Sequence, residues 1–417
     1  MRKAPLIAAL FVAIVAGGVA GGEPPRPADT YKPLALYSQA VSIIHDDYVE
    51  ALPWTKLVED GTRGMVQGLD ADSALLDPQQ SRELPASTAP ADGDVGIVLG
   101  RRSGGLAVTA VRDGTPARAA GLRSGDALLK IEGASTQGML PVDAADRLRG
   151  RPGTAIALSV ARAGWAEPKP LTLTRAKPPS DRVSERSLGD GILYVRVPAL
   201  ATATARELGR LLDGPAAERA TGLVLDLRNT PDGQVPAAVA VAGMFLDPGC
   251  VVARVESRSP GQPHELRAPS AAGRHDQPMA VLVNHGTESA GEILAGALQD
   301  WGRAAIVGSV TFGDASAQSV IPLPGGWTLS LTTARYLTPR GRAISGTGIV
   351  PDVPAAAPPP GDLKPVAASA TPESMDAAEE LAFDVVKAAQ ILEHAPPPAT
   401  GSEQAGTAVR WCGSPAA

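Results

Sequence analysis

The chain has 417 residues, which is too long for one ordinary domain, so two or three domains are expected. Its hydrophobic content of 44% suits proteins with packed cores. The net charge of −6 excludes nucleic acid and anionic membrane surfaces as expected partners.

The N-terminus, residues 1–22, has the pattern of an export signal. Arg2 and Lys3 precede an apolar stretch, and Gly18-Val19-Ala20 follows it as a small-residue cleavage site. The apolar stretch is shorter than the roughly 20 residues that a spanning helix needs. We therefore predict export to the periplasm or cell envelope, with an uncleaved membrane tether as the alternative.

The sequence predicts no metal and no cofactor. Its two cysteines, Cys250 and Cys412, fall in a predicted domain and in a polar tail, so no structural disulfide is expected between them. The five histidines have no ligand spacing; they are His45, His264, His275, His285 and His394.

A helical pattern runs from Tyr31 to about Leu76, after a Pro-rich linker at 23–30. We assign a helical domain to 31–90 and interpret it as a packing or dimerisation unit. It predicts a homo-oligomer formed through this region.

Residues 93–176 are predicted to form a compact β-rich module. Four strands are expected, with a short helix started by Pro116 and ended by Gly121, and a second helix at 142–148. The segment 113–126, with the pattern G-T-P-A-x-x-A-G-L-x-x-G-D, resembles a PDZ domain.

The PDZ resemblance implies a groove in which an extended peptide is added to a strand. The loop that would hold the peptide carboxylate is Gly93-Asp94-Val95-Gly96, followed by Ile97 and Val98. Asp94 brings a negative charge to that loop. The alternative is a module that only packs against the rest of the chain.

Strands alternate with helices from 181 to 353, which predicts an α/β layer. Helices are expected at 203–212, 234–246 and 289–302. The rest of the chain, 354–417, is interpreted as a Pro/Ala-rich linker, one helix at 373–393 and a disordered tail.

Ser289 stands out within this larger domain. The apolar run Met279 to Val283 predicts a buried strand that ends in a polar loop, and Ser289 opens the next helix. A serine at such a place can be a nucleophile. It is also the first residue of an S-x-x-E capping box with Glu292, which requires no catalysis.

Several motifs in 31–353 resemble the carboxyl-terminal processing (tail-specific) serine peptidases. They are G-L-V-L-D-L-R-N-x-P-x-G at 222–233, S-A-x-E-I-x-A-G-A-x-Q-D at 289–300, T-F-G at 311–313, T-T-A-R-Y-x-T-P-x-G-R-x-I at 332–344 and G-I-x-P-D at 348–352. The resemblance implies an α/β (α+β) peptidase core with an inserted PDZ domain and an N-terminal helical region.

The family's Ser–Lys dyad would place the nucleophile at Ser289 and the residue that orients the base at Gln318. Backbone amides of Gly233 and Ala290 would hold the oxyanion. The lysine position is Asp314, and no lysine occurs between Lys177 and Lys364.

The exchange of lysine for aspartate should remove the dyad chemistry. An ordinary aspartate pKa of about 3.9 is too low for an efficient base toward a serine hydroxyl. Its charge would also repel an oxyanion by roughly 4 kcal/mol at ~4 Å. Further departures from the family pattern are Asp72, Asp232, Glu288 and Ala315.

Two functions remain open from the sequence. The first is a pseudopeptidase that binds C-terminal tails of proteins or peptides, or an envelope adaptor or scaffold protein, without cutting. The second is an active serine endopeptidase in which a histidine, with Asp314 orienting it, replaces the base. The candidates for that histidine are His264, His275 and His285.

Overall fold

The protein is described by a computed structural model, which covers residues 27–83, 92–102, 105–231, 233–258, 264–270, 275–355 and 375–394. The predicted export signal, most of the 354–372 linker and the C-terminal tail lie outside these residues. The chain divides into two compact units, 1–65 and 66–417. Within the described residues, no helix is long and apolar enough to cross a membrane.

The first unit contains helix α1 (Pro27–Asp47) and helix α2 (Trp54–Gln67) up to Met65. The His45 ring stacks near Trp54, with 4.3 Å between ring centroids, and its Nδ1 lies 2.8 Å from the Leu52 carbonyl oxygen. Many large apolar side chains of this unit are exposed; they include Leu34, Leu36, Ile43, Val49, Trp54 and Val58.

The second unit begins with a short strand and helix, β1 (Ala74–Leu76) and α3 (Pro78–Glu83). The prediction of helix as far as Leu76 is therefore wrong. Leu75 and Leu76 are consecutive buried residues, and β1 pairs with a distant strand at 328–330, a contact that local periodicity cannot reveal.

The β-rich module forms one antiparallel sheet of six strands. These are β2 (Ile97–Arg102), β3 (Gly105–Val111), β4 (Ala127–Ile131), β5 (Ala134–Ser135), β6 (Ala155–Ala161) and β7 (Lys169–Thr174). Helix α4 (Pro116–Ala119) and helix α5 (Pro141–Leu148) accompany them. The strand order is β2-β3-β4-β6-β7, which leaves β2 at one edge. The four predicted strands and the two predicted helices agree with the observed ones within a few residues, but β5 and β7 were not predicted.

A six-stranded sheet forms the centre of the larger domain, in the order β17-β14-β13-β10-β9-β8. All neighbouring pairs are parallel except β8 with β9. The strands are β8 (Ser184–Gly189), β9 (Ile192–Arg196), β10 (Gly222–Asp226), β13 (Met279–Val283), β14 (Ala305–Gly308) and β17 (Val353–Pro354).

Helices cover both faces of this sheet. One face packs against α6 (Thr202–Leu212), α7 (Pro215–Glu218), α8 (Val235–Ala242) and α9 (Ala290–Asp300). The other face packs against α10 (Ala377–His394), through Ala382 and Val386. Every residue of β10 and β13 is buried, which explains their continuous apolar sequences.

An antiparallel sheet of five strands completes the unit, with β1 next to β16. Its other strands are β11 (Val251–Ser257), β12 (Glu265–Arg267), β15 (Ser316–Pro322) and β16 (Thr328–Leu337). Cys250, just before β11, is buried and disulfide-bonded, so the expectation of no disulfide is wrong. The only other cysteine in the sequence, Cys412, lies outside the described residues.

Candidate active site

Ser289 lies at the junction between the loop after β13 and the start of α9. Its backbone has φ 51° and ψ −113°, a conformation that residues other than glycine rarely adopt. The Ser289 amide N–H donates to the Asp314 carbonyl oxygen at 2.9 Å. Such an unfavourable conformation persists only when surrounding contacts hold it, and it is concentrated at functional sites.

Glu292 supplies those contacts from the first turn of α9. One oxygen of its fully buried carboxylate accepts from the amides of Ser289 at 3.2 Å and Asp314 at 2.9 Å. The other accepts from the Gly313 amide at 2.8 Å and from the Thr311 hydroxyl. Burial raises the pKa of Glu292 to about 7, against the opposing effect of these hydrogen bonds. The capping box is thus part of a larger set of hydrogen bonds to the Glu292 carboxylate, which we call the Glu292 bracket. It joins the loop at Ser289 to the turn at 311–314.

Gly233 and Ala290, the residues predicted to donate oxyanion amides, lie against each other. A Cβ atom at Gly233 would come 2.9 Å from the Ala290 Cβ, and Gly233 has φ 124°. Only glycine fits this backbone and this close approach. The structure therefore brings both residues to the start of α9, beside Ser289.

Asp314 faces a cleft of about 270 Å³ that Ser289 and Gln318 also line. Its carboxylate accepts from the Ser316 hydroxyl at 3.0 Å, and an Asp72 carboxylate oxygen lies 3.2 Å from the same hydroxyl. Gln318 Nε2 donates to Ser316 Oγ at 2.8 Å. Gln318 thus reaches Asp314 through Ser316.

The two aspartates are held in a partly buried and acidic setting. Burial, and then the charge of Asp314, raises the pKa of Asp72 to about 6, against the opposing effect of the hydrogen bond from Ser316. Burial also raises the pKa of Asp314, and the charge of Asp70 adds to this. Asp70 and Asp72 therefore lie near the side chain at the predicted base position, in a cleft that Arg101, Arg102 and Arg335 also line.

Known proteins share this fold and these motifs. A family model for peptidase family S41 matches residues 191–355, and a PDZ model matches 107–162. A carboxy-terminal-processing protease of Bartonella bacilliformis is 35% identical over 331 residues, covering 78% of this chain and 75% of that protein. The chain belongs to the carboxyl-terminal processing peptidases.

Other members of this peptidase family agree with the assignment. The processing protease CtpA of Bacillus subtilis is 30% identical, covering 77% of this chain and 68% of that protein. A solved photosystem II D1 C-terminal processing protease has a TM-score of 0.66 at 28% identity, covering 84% of this chain and 97% of that one. The predicted fold class, a mixed α and β peptidase core with a PDZ domain and N-terminal helices, is confirmed.

None of the three candidate histidines lines the cleft that contains Ser289. His285 Nε2 lies 2.8 Å from an Arg102 guanidinium nitrogen, and its ring is 5.5 Å from that of Phe312. Burial, and then the charge of Arg102, lowers the pKa of His285. His275 lies near Asp213, and His264 lines a different cleft beside β11. The structure therefore does not assemble a Ser–His–Asp arrangement at Ser289.

The predicted peptide-binding loop, residues 93–96, comes directly before β2 in the sequence and lies beside the end of α5 in the structure. Gly93 and Asp94 are fixed by backbone hydrogen bonds to Gly150 and Ala176, and Ile97 and Val98 pair with β3. The Asp94 carboxylate accepts from the Gly96 amide of its own loop. The sequence predicts a charge in this loop but not this internal hydrogen bond.

The sequence alone does not indicate the part that Asp72 and Ser316 play in the site. In the sequence, Asp72 is only a departure from the family pattern, in a turn about 240 residues before Asp314. Pairing of β1 with β16 brings that turn to the cleft, where Ser73 Oγ also accepts a hydrogen bond from the Thr332 amide at 3.1 Å.

Among the described residues, no group of three His, Cys, Asp or Glu side chains is arranged to hold a metal ion.

Proposed function

We propose that this protein is a non-cleaving member of the carboxyl-terminal processing peptidases that binds extended protein tails. The observation that carries the proposal is Asp314, whose carboxylate shares the Ser316 hydroxyl with Asp72. An aspartate at this place can be ionised or neutral. The ionised form adds negative charge where an oxyanion must develop, and the neutral form cannot accept the serine proton.

Binding is supported by features that do not depend on the dyad. The PDZ module keeps β2 at the edge of its sheet, with α5 beside it. An exposed edge of this kind can accept an extended peptide as an additional strand. The relatives are named as carboxy-terminal processing proteases, and tail binding is the part of that activity that needs no base.

A serine-reactive phosphonate tests the loss of nucleophilic chemistry. The purified protein is incubated with a peptidyl phosphonate, and labelling is read by intact-mass spectrometry, with Ser289→Ala as the matched control. We expect equal, background labelling of both proteins. Labelling of the wild type alone would overturn the proposal.

A second candidate is slow peptide-bond hydrolysis at Ser289. It is supported by the unusual Ser289 backbone, by the Glu292 bracket and by the raised pKa of Asp314, which together resemble a prepared site with a weak base. In this case labelling would occur and would increase as the pH rises through the titration of the acidic cleft.

The proposal extends to location and assembly. We propose that the protein is exported to the periplasm or cell envelope, on the basis of residues 1–22, and that it partners with protein tails or an envelope adaptor.

We also propose that the first unit mediates self-association, because Leu36 and Val49 are 70% and 89% exposed. Light scattering of the wild type and of Leu36→Glu/Val49→Glu tests this: a smaller mass for the variant is expected, and equal masses would contradict it.

A further inference from the structure

The groove of the PDZ module runs between β2 and α5, which are antiparallel to each other. At one end the Gly150 amide, just after α5, donates to the Gly93 carbonyl oxygen at 3.0 Å. At the other end Leu99, Gly100 and Arg101 of β2 lie with Leu140 and Pro141, at the start of α5, in the cleft that contains Ser289. The groove therefore connects the 93–96 loop to the Ser289 cleft.

The outer edge of β2 is available for a peptide strand. The sheet order ends at β2, and no strand among the described residues pairs with its outer side. Strand β2 has six residues, which span about 20 Å at roughly 3.3 Å per residue. A bound strand would extend from the loop to the Ser289 cleft over about six residues.

Two amides of the loop at the start of β2 are already hydrogen-bonded within the protein. The Asp94 amide donates to the Ala176 carbonyl oxygen at 2.9 Å, and the Gly96 amide donates to the Asp94 carboxylate. Gly96 has φ 83°, and a Cβ atom there would come 2.2 Å from Thr115 Cβ. The loop is thus fixed in a form that carries its own carboxylate.

The Arg175 guanidinium, at this end of the groove, is also hydrogen-bonded within the protein. Arg175, which packs against Gly150, directs its guanidinium to the carbonyl oxygens of Leu148 at 2.9 Å and Arg147 at 3.0 Å, and to residues at the start of β6. An incoming carboxylate would therefore meet an aspartate and an occupied amide.

We propose that this groove, on which the proposed tail-binding function rests, takes an extended polypeptide segment whose chain continues past the loop, and not a free C-terminal carboxylate. The backbone of an internal segment is neutral at this point and needs no oxyanion-like site. It gains the hydrogen bonds of β2 without the repulsion from Asp94. The binding specificity is then for extended segments upstream of a terminus.

Two peptide pools test this inference with the full-length protein. Both consist of labelled random decapeptides and differ only in a C-terminal carboxylate or a C-terminal amide. For the wild type we expect the amide pool to be captured at least as well as the acid pool. Capture of the acid pool about ten-fold in excess would overturn the inference and leave tail binding intact.

Substitutions at Asp94 separate the occupied amide from the charge. Asp94→Gly frees the Gly96 amide and removes the charge, and we expect the acid-to-amide ratio to rise by at least about ten-fold. Asp94→Asn removes the charge but keeps an oxygen acceptor, and a smaller rise is expected. Asp92→Asn, at an exposed neighbour, is the matched control and should leave the ratio unchanged.

The remaining outcomes also decide between the claims. An unchanged ratio in Asp94→Gly would overturn the inference, because the aspartate would then not control the end group. Capture of neither pool by the wild type or any variant would instead overturn the proposed binding function.

Discussion

Asp72 and Asp314 meet at one hydroxyl group: Ser316 Oγ lies 3.2 Å from an Asp72 carboxylate oxygen and 3.0 Å from an Asp314 carboxylate oxygen. Because one hydroxyl has one proton, it can donate to only one of the two carboxylates at a time. The second carboxylate is then stabilised by holding a proton itself. This relationship makes the cleft a pH-dependent acidic site.

The stability of the protein should fall as this site ionises. Burial, and then the charge of Asp314, raises the pKa of Asp72 from 3.8 to about 6, so the folded state binds its proton more tightly than the unfolded chain does. The free energy of unfolding must then decrease as the pH rises from about 4 to about 6. Asp72→Asn should raise it by roughly 2 kcal/mol at pH 7.5 and leave it unchanged near pH 3.

Urea denaturation across pH measures this effect. Asp384→Asn, at an exposed position on α10, is the control and should show no pH-dependent gain. If Asp72→Asn raised the free energy of unfolding by the same amount at pH 3 and at pH 7.5, the ionisation of Asp72 would not be the cause of the change.

Glu292 should be more important for stability than for any reaction. Glu292→Gln replaces one carboxylate oxygen by an amide nitrogen that cannot accept a hydrogen bond. Either the Asp314 amide loses its acceptor, with the Ser289 amide keeping the Asp314 carbonyl oxygen, or the Gly313 amide and the Thr311 hydroxyl lose theirs. We expect the free energy of unfolding to fall by about 2–4 kcal/mol, because buried donors left unsatisfied cost about 1–3 kcal/mol each. Denaturant titration measures it, and Glu380→Gln, exposed on α10, is the control. A loss below about 1 kcal/mol would show that the bracket does not hold the loop.

Arg228 should hold α10 against the central sheet. Its guanidinium binds the buried Asp226 at 2.6 Å, and also Asp376 at 2.6 Å and Glu379 at 2.9 Å at the start of α10. Arg228→Met leaves Asp226 and Glu379 without this partner, which should cost about 3–5 kcal/mol.

Hydrogen exchange tests the Arg228 prediction directly. The amides of α10 should exchange much faster in Arg228→Met. Lys387→Met, which removes an exposed ion pair with Asp190 and the position of an ammonium over the Phe383 ring, should have little effect. Unchanged protection of α10 in Arg228→Met would mean that apolar packing through Ala382 and Val386 alone holds the helix.

Restoring a catalytic base at position 314 should require substitution of both Asp314 and Asp72. In Asp314→Lys the new amine would lie beside the Asp72 carboxylate, which stabilises the ammonium form and raises the amine pKa. A neighbouring opposite charge shifts a pKa by about 1–3 units, so most of the base would remain protonated. Asp72→Asn/Asp314→Lys should therefore cleave an unstructured protein at least about ten-fold faster than Asp314→Lys.

Cleavage rates of the two variants, measured by mass spectrometry of the products, test this order. Adding Ser289→Ala to the double variant should abolish cleavage, which controls for contaminating proteases. Faster cleavage by Asp314→Lys than by the double variant would show that Asp72 does not keep the new lysine protonated.

Local patterns were sufficient to predict most of the fold. The apolar runs of β10 and β13 and the helical spacing after Ser289 identify buried strands and a helix, because a strand buried on both faces has a continuous apolar sequence wherever its partner lies. The strand β1 was missed because three residues give no period and pair with residues about 250 positions later. The Cys250 disulfide was missed because composition alone cannot reveal which segments meet.

The sequence predicted three residues that line one cleft, but not their interactions, and their catalytic roles stay predictions. Ser289, Asp314 and Gln318 were found because they occupy motif positions. The Ser316 hydroxyl that connects them to Asp72, and the Asp94 carboxylate that caps Gly96, depend on side-chain directions after folding. No sequence pattern encodes those directions.

The central claim is that Ser289 has no working base, and one measurement tests it most directly. Wild-type protein and Ser289→Ala are incubated with the same unstructured protein at pH 7.5, and the products are counted by mass spectrometry. We predict the same background rate for both. Faster cleavage by the wild type, abolished in Ser289→Ala, would contradict the claim.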